Sequence, residues 1–265
     1  MRQPTVAGQF YPLALHSLKK ELVRCFRDLE ITETPVKGAI VPHAGYVYSG
    51  EVAAHVYARL PKADTFVIFG PNHTGYGSPV ALSRDNWSTP MGDVKNDPEL
   101  CDKLAGSIVD MDEIAHRFEH SIEVQIPFLQ YRFGNDFQIL PICLGMQDID
   151  TAVEVGQEVA KAAKELGRSV VFIASSDFTH YEPQETANEK DEFLIEAILD
   201  MNIEEFYKRI AEINASACGY GPIAAMLSAS KEMGANSTEL LKYATSGDIS
   251  GDYSAVVGYA AIVVD

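Results

Sequence analysis

Apolar residues along the chain follow two rhythms. Between His16 and Ile31 they recur as Leu18, Leu22, Cys25, Phe26 and Leu29, the spacing of one helical face. Val36 to Val41, Thr65 to Phe69, Phe137 to Leu144 and Ser169 to Ala174 are instead short, almost unbroken apolar runs, the pattern of strands covered on both faces. Ser49 is placed to cap a helix reaching Leu60. Asp97-Pro98 predicts another, with Asp as N-cap and Pro at the first position, and further helices are expected over His120 to Tyr131 and Thr151 to Leu166. Pro79 to Ser83 reads as an additional strand. Two or three helices fill Glu185 to Met233, and strands over Leu240 to Thr245 and Val256 to Val264 close the chain. Strands alternating with helices predict one α/β domain over residues 1–265: a three-layer sandwich, with a largely parallel central sheet and helices on both faces. The terminal strand pair is suited to an antiparallel edge.

Composition narrows the function. Hydrophobic residues make up 46% and charged residues 22%, an ordinary globular balance. Lys and Arg number 21 against 38 Asp and Glu, for a net charge of -17, which repels nucleic-acid backbones and anionic membranes alike. Cys25, Cys101, Cys143 and Cys218 are scattered, with no CxxC pair, so neither a zinc ribbon nor a disulfide framework is expected. No apolar signal segment and no run near the roughly 20 residues of a membrane span is visible, which predicts a cytoplasmic protein. There is no Gly-rich phosphate loop and hence no expectation of a nucleotide cofactor.

The histidines change the picture most. Three predicted strands each end in a small-residue turn bearing one: Pro42-His43-Ala44-Gly45, Gly70-Pro71-Asn72-His73, and Ser175-Ser176-Asp177-Phe178-Thr179-His180. Open α/β sheets bind ligands outside the carboxyl ends of their strands, so adjacent parallel strands bring these imidazoles into one crevice. Two histidines and one anionic residue form a recurring redox-metal set, with Asp177, Glu123 and Cys218 as the anionic candidates. Cys218 lies just before a helix opened by Pro222, where a thiolate forms readily; the alternative is a small buried apolar residue. His120 with Glu123 suits a proton relay or a substrate contact. His116 reads as solvated, His16 and His55 as helix-surface residues, and Tyr46 and Tyr48 as pocket lining or packing.

At these residues the sequence resembles the Memo family, of the AmmeMemoRadiSam system protein B type, and more distantly the class III extradiol dioxygenases of the LigB type. The resemblance is carried by Ala7-Gly8-Gln9-Phe10-Tyr11-Pro12, Pro42 to Gly50, Gly70-Pro71-Asn72-His73, Glu119-His120-Ser121-Ile122-Glu123, Ser176 to Tyr181 and Cys218-Gly219, in order along nearly the whole chain. It implies a three-layer α/β sandwich, His43, His73 and Cys218 as metal ligands, His180 as acid/base, and Asp177 as a pocket residue. Phe10 stands where some members carry tryptophan. The resemblance further implies iron or copper as cofactor, with zinc admitted. It implies company with a radical-SAM enzyme and an AMMECR-type protein in microbes, and motility signalling in the eukaryotic member. The dioxygenases use a carboxylate as third ligand; a thiolate there favours copper(I) or zinc and argues against catechol ring cleavage.

Two functions follow as expectations. One is a metal-dependent oxidoreductase, with His43, His73 and Cys218 as ligands and His180, Asp177 and His120 in the catalytic roles. The other is a non-catalytic module that uses the same pocket for a peptide, a small ligand or a partner enzyme. Hydrolysis at a bound zinc is a third, weaker option.

Overall fold

The computed structural model describes residues 1–265. In chain order the elements are α1 (Leu15–Cys25), β1 (Gly38–Val41), α2 (Tyr46–Arg59), β2 (Thr65–Pro71), β3 (Val80–Leu82), β4 (Trp87–Thr89), β5 (Gly92–Asn96), α3 (Pro98–Leu104) and β6 (Asp110–Met111). A 3-10 turn (Glu123–Gln125) then leads into α4 (Ile126–Phe133), followed by β7 (Gln138–Leu144), α5 (Ile149–Leu166), β8 (Val170–Ser175) and β9 (His180–Glu182). The chain closes with α6 (Gln184–Leu199), α7 (Ile203–Glu212), α8 (Tyr220–Glu232), β10 (Thr238–Thr245), α9 (Gly247–Ser250) and β11 (Val256–Val264).

All 11 strands join one sheet, whose main path runs β10-β11-β1-β8-β2-β7-β3-β6. Its centre, β1-β8-β2-β7, is parallel throughout. The closing strands β10 and β11 pair antiparallel and form an edge beside β1, as the sequence suggested. Every residue of β1 and β2 is buried, which explains why these strands read as apolar runs rather than alternations. The sheet divides the interior into two cores. One packs Val67, Leu140 and Phe172 against α5, α6 and α8; the other packs Phe66, Ile68 and Val171 against α1, α2 and α4. No helix is long and apolar enough to cross a membrane.

Three expectations need correction. The second helix begins at Tyr46, not after Ser49: Gly45 is its N-cap, the Tyr46 N–H donates to the Phe10 carbonyl, and the Ser49 hydroxyl turns back to the Ala44 carbonyl. The helix expected from His120 starts only at Ile126, because Glu119 and Pro71 hold the backbone and side chain of Ser121 in a turn and Pro127 suits a first helical turn. The first helix stops at Cys25, and the chain beyond it passes through Asp28 at a φ of 63°, which no α-helix accommodates. The β4–β5 hairpin was not visible as a pattern, since its strands have three and five residues and Val94 is the one apolar side chain of β5. Asp97 does cap α3, accepting from the Glu99 and Leu100 N–H groups.

The α5–α8 contact depends on a missing side chain. A Cβ on Gly156 would lie 2.3 Å from the Ala225 carbonyl oxygen and 2.8 Å from Ser228 Cβ. Gly156→Ala is therefore predicted to lower the unfolding free energy by about 1–3 kcal/mol through overpacking, despite alanine's better helix propensity. Urea denaturation of wild type and variant checks this; an unchanged midpoint would mean that the helices separate freely.

Candidate functional site

The parallel order β1-β8-β2 sets three strand ends side by side, and each is followed by a turn carrying one of the predicted histidines. Two of these and one cysteine converge. Ligand-type atoms of His43, His73 and Cys218 all lie within 4.8 Å of one another. The His43 and His73 rings meet edge to face at 5.2 Å, and His43 Nε2 stands 3.2 Å from Cys218 Sγ. That last distance is close to the roughly 3.5 Å between a nitrogen and a sulfur on one tetrahedral ion. His43 is buried, Cys218 half-buried and His73 exposed, so the group is anchored below and open above.

His120 completes a triangle of imidazoles. Its ring lies 4.7 Å from His73, nearly stacked, and 5.4 Å from His43, with Phe10 packed on it at 4.7 Å. Asp177 accepts the His43 backbone N–H at 2.8 Å, and its own N–H points at Cys218 Sγ at 3.3 Å, so it ties the β1 turn to the cysteine loop. His180 sits on the far side. Its backbone N–H donates to Ser216 Oγ at 2.8 Å, and its Nδ1 lies 2.9 Å from the Ser216 carbonyl. A carbonyl only accepts, so Nδ1 carries the proton and Nε2 keeps a free lone pair. The adjacent Tyr181 has a φ of 59°, an uncommon backbone for a bulky residue, and it falls where β9 shifts register against β11.

Burial governs the electrostatics. It pushes the Cys218 thiol well up, with Asp177 adding to the rise, and holds the His43 imidazole well below its ordinary range. Burial thus favours a neutral thiol beside a neutral imidazole, which disfavours a thiolate–imidazolium nucleophile and suits a thiol that gives up its proton only to a soft cation. Burial likewise raises the Asp177 carboxyl and lowers His120. Glu119 goes the other way: burial opposes its charge, but the His73 hydrogen bond and charge and the Ser121 N–H together hold it ionised.

Glu119 was not singled out in the sequence, where the only signal is an acidic residue directly preceding a site histidine. Its Oε1 accepts from His73 Nδ1 at 2.9 Å, from the His120 N–H at 2.8 Å and from the Ser121 N–H at 2.9 Å; its Oε2 accepts the His73 N–H at 2.6 Å. The geometric group His73, Glu119 and His120 is thus already saturated by N–H donors. Ser175 and Gln125 were also missed. Glu123, proposed as an anionic candidate and as a partner of His120, instead faces the N-terminal segment. It pairs with Arg2 at 2.8 Å and accepts from the Thr5 and Val6 N–H groups and from the Tyr11 hydroxyl.

His116 is not solvated. It is fully buried beside Trp87, its Nε2 lies 3.1 Å from the Ala81 carbonyl, and its Nδ1 has no partner. Burial, helped by the Arg2 charge, pushes it down to about 4. Tyr46 packs in the core while Tyr48 is exposed; His16 is exposed, and His55 is half-buried on α2.

An α/β sandwich whose parallel strand ends carry histidines that meet a cysteine from the loop before α8 is the class that fold and site define. The chain belongs to the Memo family: the family model described as Memo-like protein matches residues 2–263. A MEMO1 family protein of Methanococcoides burtonii is 69% identical over 264 residues, covering 100% of both chains, and one of Methanosarcina acetivorans is 65% identical over 265 residues, covering 100% of this chain and 99% of its own. In fold the chain is similar to an uncharacterized protein of Escherichia coli K12, with a TM-score of 0.58 at 12% identity over 86% of this chain and 99% of that one.

Two predictions concern this frame. Arg2→Ala leaves Glu123 charged and buried, and should cost about 3–5 kcal/mol of stability in chemical denaturation. A loss under about 1 kcal/mol would show that Glu123 finds other partners. For His116, the unfolded chain takes up a proton near pH 6.5 while the folded one resists until about 4. Its contribution is therefore intact above pH 6.5 and falls as pH drops toward 4, by about 3 kcal/mol. His116→Gln should flatten the wild-type fall in stability over that window; parallel curves would refute the assignment.

Proposed function

We propose that this Memo-family chain is a metal-dependent redox protein in which His43, His73 and Cys218 hold an iron or copper ion and His180 moves protons at its open side. The observation that carries the reading is the convergence within 4.8 Å of three donors from three separate segments. The donor set fits such an ion. Two imidazoles and a thiol suit copper or iron, the thiol also admits zinc, and a cation removes the charge penalty that keeps Cys218 protonated. A bound iron or copper ion supplies one-electron chemistry and polarises an oxygen-bearing ligand.

The protein's own groups supply the rest. His180 takes a proton at Nε2, and the charge that develops is stabilised through Nδ1–H on the Ser216 carbonyl. Asp177 ties the His43 turn to the cysteine loop and lies near enough to His180 for their charges to interact. His120, kept neutral by burial and flanked by Phe10, forms a wall on which a flat substrate rests.

A second reading is favoured by the exposed aromatic residues beside the site histidines: Tyr76 at 58%, Phe118 at 60% and Tyr181 at 78% exposure. Such a rim suits a binding module for a peptide, a small ligand or a partner enzyme, with the radical-SAM enzyme and the AMMECR-type protein as candidates. A partner that remains bound to His43→Ala would support it.

Metal content after anaerobic purification is the deciding measurement. Near-stoichiometric iron or copper is expected in wild type and its loss in both His43→Ala and Cys218→Ser. Oxygen uptake across a catechol panel is expected to vanish in His180→Ala with metal retained. A wild type that neither carries metal nor takes up added iron, copper or zinc would sink the redox reading.

A further inference from the structure

His43 Nε2 faces Cys218 Sγ at 3.2 Å, a ring nitrogen of His73 lies within 4.8 Å of both, and the Nδ1 of each ring is held by a buried acceptor. For His43 that acceptor is Ser175 Oγ, 2.9 Å from Nδ1. A hydroxyl has one proton to give, and the Ser175 proton goes to the Ser121 carbonyl at 2.7 Å. Gln125 Nε2, at 2.8 Å, donates to the same oxygen, while Gln125 Oε1 accepts from the Tyr57 hydroxyl at 2.7 Å and its amide also reaches the Pro42 carbonyl at 3.0 Å. Every other position around Ser175 Oγ is thereby assigned, so it faces His43 as an acceptor only. For His73 the acceptor is Glu119, whose oxygens take the backbone N–H groups of His73, His120 and Ser121 and therefore meet the ring nitrogen as acceptors.

We infer that Ser175 and Glu119 are positioning residues that lock His43 and His73 in the Nδ1–H tautomer, so that both Nε2 lone pairs face Cys218 before any ligand arrives. The two locks are joined. The Ser121 carbonyl receives the Ser175 proton and the Ser121 N–H donates to Glu119, so one turn, Glu119–Ser121, holds both rings. The purpose of the lock rests on the metal reading, since an imidazole binds a cation through an unprotonated nitrogen and second partners of this kind set ring orientation. Its existence does not rest on that reading. No amide can stand in for the Glu119 carboxylate: whichever way a glutamine side chain were turned here, its NH2 would meet N–H donors on one side, namely the His73 N–H or the three donors to Oε1.

The test is proton-detected nitrogen-15 spectroscopy of the histidine rings in metal-free full-length protein, in wild type, Ser175→Ala, Glu119→Gln and the buried control Ser230→Ala. Wild type should show Nδ1–H for both rings. Ser175→Ala should release His43 alone, Glu119→Gln should release His73, and the control should release neither. Zinc titration of the same proteins should show affinity falling roughly 10–100-fold in the two lock variants and not in the control. An Nε2–H ring for His43 or His73 in wild type, or unchanged tautomers in both lock variants, overturns the inference; the wild-type spectrum alone suffices if a variant fails to fold. Tautomers that follow the variants in a protein that binds no zinc, iron or copper support the lock and overturn the metal reading instead.

Discussion

Buried backbone without regular secondary structure has to find hydrogen bonds elsewhere, and in this protein that demand falls on the stretch from Asp112 to Ile122. Between the end of β6 and the 3-10 turn at Glu123 the chain forms only bends and turns, yet Ala115, His116, Glu119 and Ser121 are fully or almost fully buried. Two carboxylates meet the demand. Glu119 gathers N–H groups from its own turn and from the end of β2, and Glu123 gathers those of the N-terminal segment. The interior accommodates both because the donors converging on them replace the water they lose.

Arg2 links the two systems. Its guanidinium pairs with Glu123, donates to the carbonyls of His116 and Glu119, and stacks on Trp87 with 4.0 Å to the ring centroid. Positive charge next to Glu123 is what makes the N-terminal segment part of the fold, although it contains no helix or strand before Leu15. Once pinned, that segment brings Phe10 over His120 and lends its Phe10 carbonyl to the first turn of α2. The aromatic wall of the site is thus a consequence of an ion pair on the opposite side of the same loop.

The strands and the histidines at their ends were legible in the sequence, because an unbroken apolar run followed by a small-residue turn leaves few alternatives. The family was legible too, through several short motifs in order. What escaped was decided by partners remote in sequence. His120 was expected to open a helix, but the carboxylate of Glu119 and the Pro71 carbonyl hold this stretch as a turn. His116 reads as solvated by residue type, and only the Ala81 carbonyl and Trp87, more than 25 positions away, bury it. Ser175 ends a strand like any other small residue; its proton direction depends on Gln125 and Ser121, which no local pattern relates to it.

The site therefore has two kinds of support. His43 and Cys218 rest on strand ends and on the loop before α8, and close packing fixes them. A Cβ on Gly219 would come within 2.6 Å of the Ser175 carbonyl, so the cysteine loop lies directly on the end of β8. His73 and His120 stand on the opposite wall, where hydrogen bonds to one carboxylate take the place of packing. Packing sets positions to fractions of an ångström but leaves a ring free to choose its tautomer, whereas a carboxylate or an acceptor-only hydroxyl sets the tautomer and leaves some freedom in position. A centre that has to present lone pairs rather than N–H groups needs both. The proposed metal centre would draw on both, from a site built half from rigid sheet and half from an irregular loop.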